Sequence, residues 1–328
     1  MPVPRLILAC VLAAVALAVA GCGGDDVPAA APAPTPSVAK AADFPKATGR
    51  TLAQLVEGMP EGPILAPSVS LLEKGRNRVA FALFDRARKQ IAGASLAIYT
   101  ARPDGTGLRG PYVARNESLA VKPQFESQTT SQDPDAATAI YVADVPFKRN
   151  GDVVVAALAK IDGRLLAAEP APMRVGSKGA TPPAIGDKAI SISTPTVASV
   201  AGDVASIDTR VPPAPQLHQE DFAKVLGRKP AVLLFATPQL CQSKVCGPVV
   251  DVTAQVQSTA PKDVAFIHME IFNGNDISKG TRSQVNAYKL PTEPWAFVVD
   301  RTGKVTARFE GAFSPQELQR AVDKVAGA

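Results

Sequence analysis

The sequence predicts an all-β sandwich followed by an α/β domain, with an export signal and a flexible tether ahead of both. Three observations carry this. Between residues 68 and 175, short runs alternate apolar and polar side chains and are separated by turn pairs. Beyond a Gly/Ser/Pro stretch at residues 176–184 the apolar runs become continuous and alternate with helical stretches. Finally, 328 residues exceed one compact domain of common size and suffice for two.

The first segment sets the compartment. Arg5 supplies the one positive charge before an apolar run at residues 6–20, which is too short for the ~20 residues of a comfortable bilayer span. The run ends in Val19-Ala20-Gly21-Cys22, which resembles the lipobox of bacterial lipoproteins. That resemblance implies a signal peptide over residues 1–21, cut before Cys22, whose thiol would carry a diacylglyceryl group. Ala18-Val19-Ala20 also fits ordinary secretion, and an uncleaved anchor is the third option. All three put the folded part outside the cytoplasm, and the lipobox puts it on the cell membrane. Residues 22–45 are Gly, Asp, Ala and Pro with few large apolar side chains, so they are expected to form a flexible tether.

Residues 60–176 form the expected sandwich. Val79, Phe81 and Leu83 alternate in residues 78–85, and Leu96 and Ile98 in residues 94–101. Further strands are expected at 140–145, 153–159 and 165–168, with no helix between them. Asp104-Gly105, Asp133-Pro134, Asn150-Gly151 and Asp162-Gly163 supply the turns. The stretch from Tyr141 to Val155 looks like the late strands of an immunoglobulin-like domain of bacterial envelope proteins, which implies a spacing or adhesive module.

Residues 184–328 follow a different grammar. A buried strand is expected at 231–235, a helix running to about Val256, and a second strand at 264–271. A short helix at 281–288 and strands at 295–300 and 305–309 come next. Ser314-Pro315-Gln316-Glu317 reads as a capping box with Pro at the first helical position. Leu318, Ala321, Val322 and Val325 then lie on one helical stripe.

This order resembles the thioredoxin fold. The carriers of the likeness are Val232-Leu233-Leu234-Phe235 leading to Cys241, and Pro294-Trp295 opening an apolar strand that ends in Asp300-Arg301-Thr302-Gly303. Ile185-Gly186-Asp187 is similar to the opening of redoxin domains. The resemblance implies a membrane-tethered thiol-disulfide oxidoreductase with Cys241 as nucleophile, Cys246 as resolving thiol and Pro294 as the cis-proline facing them. It implies an exported thiol-containing protein and a redox partner, and no organic cofactor or metal. Leu233 and Leu234 occupy the strand on which thioredoxins carry a buried carboxylate.

Cysteine usage fits an oxidising compartment. Cys10 is lost with the signal and Cys22 goes to lipid, leaving Cys241 and Cys246 as an even pair. Five positions along a helix correspond to about 7.5 Å and a rotation of about 140°. A disulfide spans ~4.4–6.8 Å between Cα atoms, so a Cys241–Cys246 bond needs Cys241 off the helix or a first turn that unwinds. Gly247-Pro248 places the expected helix start near Pro248.

Three other readings stay open. The pair is a structural disulfide in a non-catalytic binding module. Alternatively, the segment from Thr237 to Cys246 is similar to the Cys-x4-Cys helix of bacterioferritin-comigratory peroxiredoxins, although Pro238 stands where those carry a Thr. The third is copper handling, like thioredoxin-fold copper chaperones, with His268 and Met269 beside two thiolates. Outside that reading His268 is a satisfied core residue, and His218 belongs at the surface or a cap. Trp295 and Tyr288 read as packing, with the Trp295 ring also available to line a groove by Cys241. Glu293 offers its backbone to an extended partner or acts as a nearby carboxylate. The net charge of +5 is spread along the chain, which leaves no nucleic-acid footprint.

Overall fold

The computed structural model describes residues 39–179 and 181–327. The signal peptide, Cys22 and most of the tether lie outside them.

The chain opens on a 3-10 turn, Ala41–Asp43, and helix α1 (Leu52–Val56). Thr51 caps α1: its hydroxyl accepts from the Gln54 amide, and the Gln54 side chain accepts from the Thr51 amide. Phe44, Ala47 and Leu55 are buried in one cluster with Ala97, Tyr99 and Leu158. Residues 41–45, which the sequence assigns to the end of the tether, are therefore folded.

Eight strands follow: β1 (Ile64–Pro67), β2 (Gly75–Phe84), β3 (Ser95–Ala101), β4 (Arg109–Ser118), β5 (Ala139–Phe147), β6 (Gly151–Ile161), β7 (Arg164–Ala167) and β8 (Ala171–Val175). They join in the order β1-β2-β5-β4-β3-β6-β7, with β8 also on β6, and every pairing is antiparallel. Strand β4 changes partner along its length. Ala114 and Tyr112 pair with Leu96 and Ile98 of β3, and Arg115 to Ser118 pair with Val142 to Ala139 of β5. In β3 and β6 the side chains alternate faces. Leu96, Ile98, Val155 and Ala157 enter one apolar cluster, while Ala97, Tyr99, Ala156 and Leu158 meet Phe44 and Leu55. The sequence reading found β2, β3, β5, β6 and β7. It missed β1, β8 and β4; in β4 only Ala114 and Glu117 are buried and no apolar alternation exists. It also missed a 3-10 turn, Pro123–Phe125, and helix α2 (Gln128–Ser131) in the long β4–β5 connection.

The C-terminal part contains α3 (Phe222–Val225), β9 (Ala231–Phe235), α4 (Cys246–Thr259), β10 (Ala265–Met269), α5 (Ser283–Tyr288), β11 (Trp295–Val299), β12 (Val305–Glu310) and α6 (Pro315–Ala326). The sheet order is β10-β9-β11-β12; β10 runs parallel to β9, and β11 runs antiparallel to β9 and β12. Val232, Leu234, Ala296 and Val298 share a cluster with Val249 of α4 and with Leu318 and Val322 of α6. Leu233, Phe235, Phe297 and Trp295 face the other way, toward Phe222, Val285 and Tyr288. The capping box of α6 forms as expected, with Ser314 Oγ accepting from the Glu317 amide at 3.1 Å and the Glu317 carboxylate accepting from the Ser314 amide at 3.4 Å.

The two parts pack on one another in one compact unit. Arg78 of β2 donates to both oxygens of Glu317 at 2.8 and 2.7 Å and to the Ala312 carbonyl at 2.8 Å. Glu310 at the end of β12 accepts from the Ser70 and Leu71 amides. Between these contacts Gly311 adopts φ +70°, and a Cβ there would overlap the Ser68 carbonyl oxygen. Only glycine fits a left-handed turn pressed against a neighbouring backbone.

Candidate dithiol site

Strand β9 is buried along its whole length and delivers the chain to a loop, residues 236–245, that carries Cys241. Cys246 is the first residue of α4. The two form a disulfide with a Cα separation of 5.9 Å. Cys241 thus lies off the helix, one of the two arrangements that the spacing allows. The helix begins at Cys246, two residues before the expected start, because the Val245 carbonyl already accepts from the Val249 amide at 3.0 Å. Cys241 is 6% exposed and Cys246 fully buried. The Cys241 sulfur also lies 3.2 Å from the Ser243 hydroxyl.

The Glu293–Pro294 peptide bond is cis, at the start of β11, and Pro294 is buried. Glu293 itself brings a carboxylate oxygen within 4.8 Å of both sulfurs. Its Oε2 is buried without a hydrogen-bond partner. Burial, and after it the neighbouring Glu270 carboxylate, push the Glu293 carboxyl up to about 7. Glu270 is wholly buried just beyond β10 and accepts from the Thr209 amide and hydroxyl at 2.7 and 2.8 Å. Thr209 Oγ1 accepts in turn from the Gln239 amide of the cysteine loop at 3.2 Å. The carboxylate missing from the central strand is therefore replaced by one that arrives from the proline turn.

The β4–β5 connection closes over the loop. Lys244, held at φ +60° between the cysteines, forms an ion pair with Asp133 at 2.9 Å, and its carbonyl accepts from the Ala137 amide. Asp251 of α4 is buried and accepts from Arg210 Nε at 2.8 Å and from the Ser127 amide and hydroxyl, each at 3.0 Å. Arg210 also donates to the Phe125 carbonyl. These bonds leave a cleft of about 340 Å³ beside Cys241, lined by Thr129, Asp133, Pro238, Gln239 and Lys244.

Other expectations are redistributed. Trp295 is 1% exposed, stacks on Phe297 with the centroids 6.0 Å apart, and lies on the sheet face opposite α4, away from the Cys241 cluster. Tyr288 is wholly buried and donates to the Ile190 carbonyl, as packing. Thr237 is fully buried with its hydroxyl unpartnered. His218, expected at the surface or a cap, caps the C-terminus of the 3-10 turn Pro215–Leu217 but is 1% exposed. It meets His268 and Asp208 in a cluster of its own, so His268 does not join the sulfurs within ligand distance. Asp133, Asp208, Arg210 and Asp251 escaped the sequence reading. The signal for Asp251 was a lone carboxylate in the apolar run 249–256; Asp208 and Arg210 sit in irregular chain that offers none.

No family model and no curated protein matches the chain. Solved structures do. A thioredoxin-like superfamily protein is 16% identical, covering 34% of this chain and 87% of its own, with a TM-score of 0.27. A thiol:disulfide interchange protein of the thioredoxin family from Chlorobium tepidum TLS is 16% identical, covering 46% of this chain and 100% of its own, with a TM-score of 0.29. The Lin-41 filamin domain is 10% identical over 33% of this chain and 82% of its own, with a TM-score of 0.18. These scores are low, and the thioredoxin-like arrangement of the C-terminal part is carried by its strand order, the helix after β9 and the proline turn before β11.

Proposed function

We propose that the chain is an extracytoplasmic thiol-disulfide oxidoreductase, held at the membrane by lipid on Cys22, that exchanges electrons with cysteines of exported proteins. The observation supporting this is the Cys241–Cys246 bond at a strand end and helix start, with a proton-carrying Glu293 beside both sulfurs. In the oxidising direction a client thiolate attacks Cys241, the more exposed sulfur. The S–S bond breaks and Cys246 leaves as a thiolate at the N-terminus of α4, where the unpaired amides favour negative charge. Glu293, half protonated near neutral pH, hands this thiolate a proton. A second client thiolate then attacks the mixed disulfide, the client disulfide forms, and Cys241 is released carrying the electron pair's charge. A redox partner reoxidises the pair by the reverse sequence. Pro294 docks the client chain by its backbone. The β-rich part, read as an immunoglobulin-like sandwich, positions the site and recruits the client through the β4–β5 connection.

A second reading has its own observation. Both sulfurs are nearly inaccessible, which suits a structural bridge in a binding module. Titration of the full chain in graded thiol redox buffers, with free thiols counted, separates the two. Reversible loss and recovery of the bond while the fold persists supports the oxidoreductase. A bond that survives strong reductant until the chain unfolds overturns it.

A further inference from the structure

We propose that Asp208, His218 and His268 form a binding site for one divalent first-row transition ion of zinc-like chemistry, separate from the dithiol. Asp208 and His218 lie ten residues apart in one irregular segment, His268 lies on β10, and their ligand atoms converge within 4.8 Å of one another. All are 0–1% exposed. Asp208 Oδ2 is 3.3 Å from His218 Nε2, and Oδ1 is 3.5 Å from His268 Nδ1. Two donors each about 2.0–2.1 Å from a tetrahedral zinc ion stand roughly 3.3–3.4 Å apart. The His218–Asp208 contact has the length of such an edge as well as of a hydrogen bond, and the His268 contact, to the other carboxylate oxygen, is slightly longer.

The orientation of His268 is the second argument. Its Nε2 lies 3.0 Å from the Ala236 carbonyl, which only accepts, so this nitrogen carries the hydrogen. The lone pair of a neutral ring therefore sits on Nδ1, which faces the Asp208 carboxylate and makes no hydrogen bond. Two electron-rich atoms opposed in a water-free interior are unfavourable unless a proton or a metal ion lies between them, and the nitrogen NMR below separates the two. A backbone carbonyl on the far nitrogen is also the usual outer partner of a metal-bound histidine, fixing its tautomer. Asp208 is itself oriented by the Arg210 and Ala214 amides at 2.9 and 2.8 Å. Two imidazoles and a carboxylate suit zinc, and the absence of sulfur disfavours copper(I).

Bound there, the ion would pin the irregular segment around Asp208 to β10. That segment carries Thr209 and Arg210, whose bonds hold Glu270 and Asp251 around the dithiol. Because the ligands are sealed from solvent, metal must enter as the chain folds.

The test uses the full chain with its disulfide kept oxidised, stripped by chelator and refolded with or without zinc chloride. One zinc per chain should survive gel filtration, and Tm should be higher in the zinc sample. Retention should fall at least about tenfold in His218→Gln and persist in Cys241→Ser/Cys246→Ser. Cobalt(II) in place of zinc should give the visible absorption of a low-coordinate nitrogen/oxygen site. Zinc-free chain with an unchanged Tm, zinc held equally by His218→Gln, or zinc lost only with the cysteines overturns the proposal. If His218→Gln does not fold, the wild-type cobalt titration decides, and no visible band overturns it. An imidazolium at His268 in the zinc-treated chain, seen by nitrogen NMR, overturns it as well.

Discussion

Lys244 stands between the two cysteines, and its ammonium lies 2.9 Å from the Asp133 carboxylate of the β4–β5 connection. An excursion from the β-rich part is thereby clasped to the loop that carries Cys241. The pair is solvent-accessible, so it acts as a weak clasp over the cleft rather than as a pillar of stability.

Removing that clasp should ease entry to the sulfur. Asp133→Ala is expected to speed reduction of the disulfide by a small dithiol a few-fold, with Tm almost unchanged. The measurement is the rate of free-thiol appearance under pseudo-first-order conditions. A rate equal to wild type would assign the slow step elsewhere.

The two sulfurs should behave differently because only Cys241 reaches the cleft. In Cys246→Ser, Cys241 should form mixed disulfides with a client peptide that accumulate, since no thiol resolves them. In Cys241→Ser, the fully buried Cys246 should resist a bulky alkylating reagent in the folded chain. Intact-mass measurements on both variants check this. Equal labelling of the two would contradict the assigned roles.

Glu293 gives the site a pH dependence. Its folded pKa of about 7 lies above the unfolded value, so the protonated form favours folding. That contribution is complete below the ordinary glutamate range and is lost as pH rises through about 7. Glu293→Gln should therefore be more stable than wild type above pH 7 by on the order of 1 kcal/mol, allowing for the solvent that reaches a half-buried group. The two should converge in mild acid. Denaturant midpoints across pH measure it. In the same variant the step near neutral pH in the thiol-exchange rate should disappear.

Arg78 and Glu317 join the β-rich part to α6. Burial pushes the Glu317 carboxyl up, but the hydrogen bonds and charge of Arg78 outweigh it and hold the group below the usual range. Its contribution to stability is present above the unfolded glutamate pKa and is lost as pH falls through the depressed folded value. Arg78→Leu removes the nearest cation from a buried carboxylate, leaving it the Ser314 amide and the more distant Arg115, and should cost about 3 kcal/mol. The double variant Arg78→Leu/Glu317→Leu should cost less than the single one, as read from urea denaturation. A larger loss in the double variant would mean that the pair adds little and the side-chain packing dominates.

Much of this was legible because it was local. Val79, Phe81 and Leu83 alternate as a strand must when one face is covered. Ser314 to Glu317 spell a helix start in four residues, and the five-residue gap rules out a disulfide between the cysteines within one regular helix. Strand β4 was not legible: its buried face is shared between two partner strands and needs few apolar residues of its own. His218 read as a surface or capping residue because its loop neighbours are polar; it is a cap, but buried, and nothing nearby in sequence announces His268, fifty positions on.

The sequence by itself determined the change from alternating to continuous apolar runs, the capping box of α6 and the placement of Cys241 at a strand end. These follow from backbone periodicity and short-range hydrogen bonding, which act over a few residues. Only the tertiary structure decided that Glu293 supplies the carboxylate beside the sulfurs, that Asp133 covers them, and that two histidines share one aspartate. Those are meetings of side chains remote in sequence, selected because a buried charge or lone pair must find a partner wherever the fold brings one within reach.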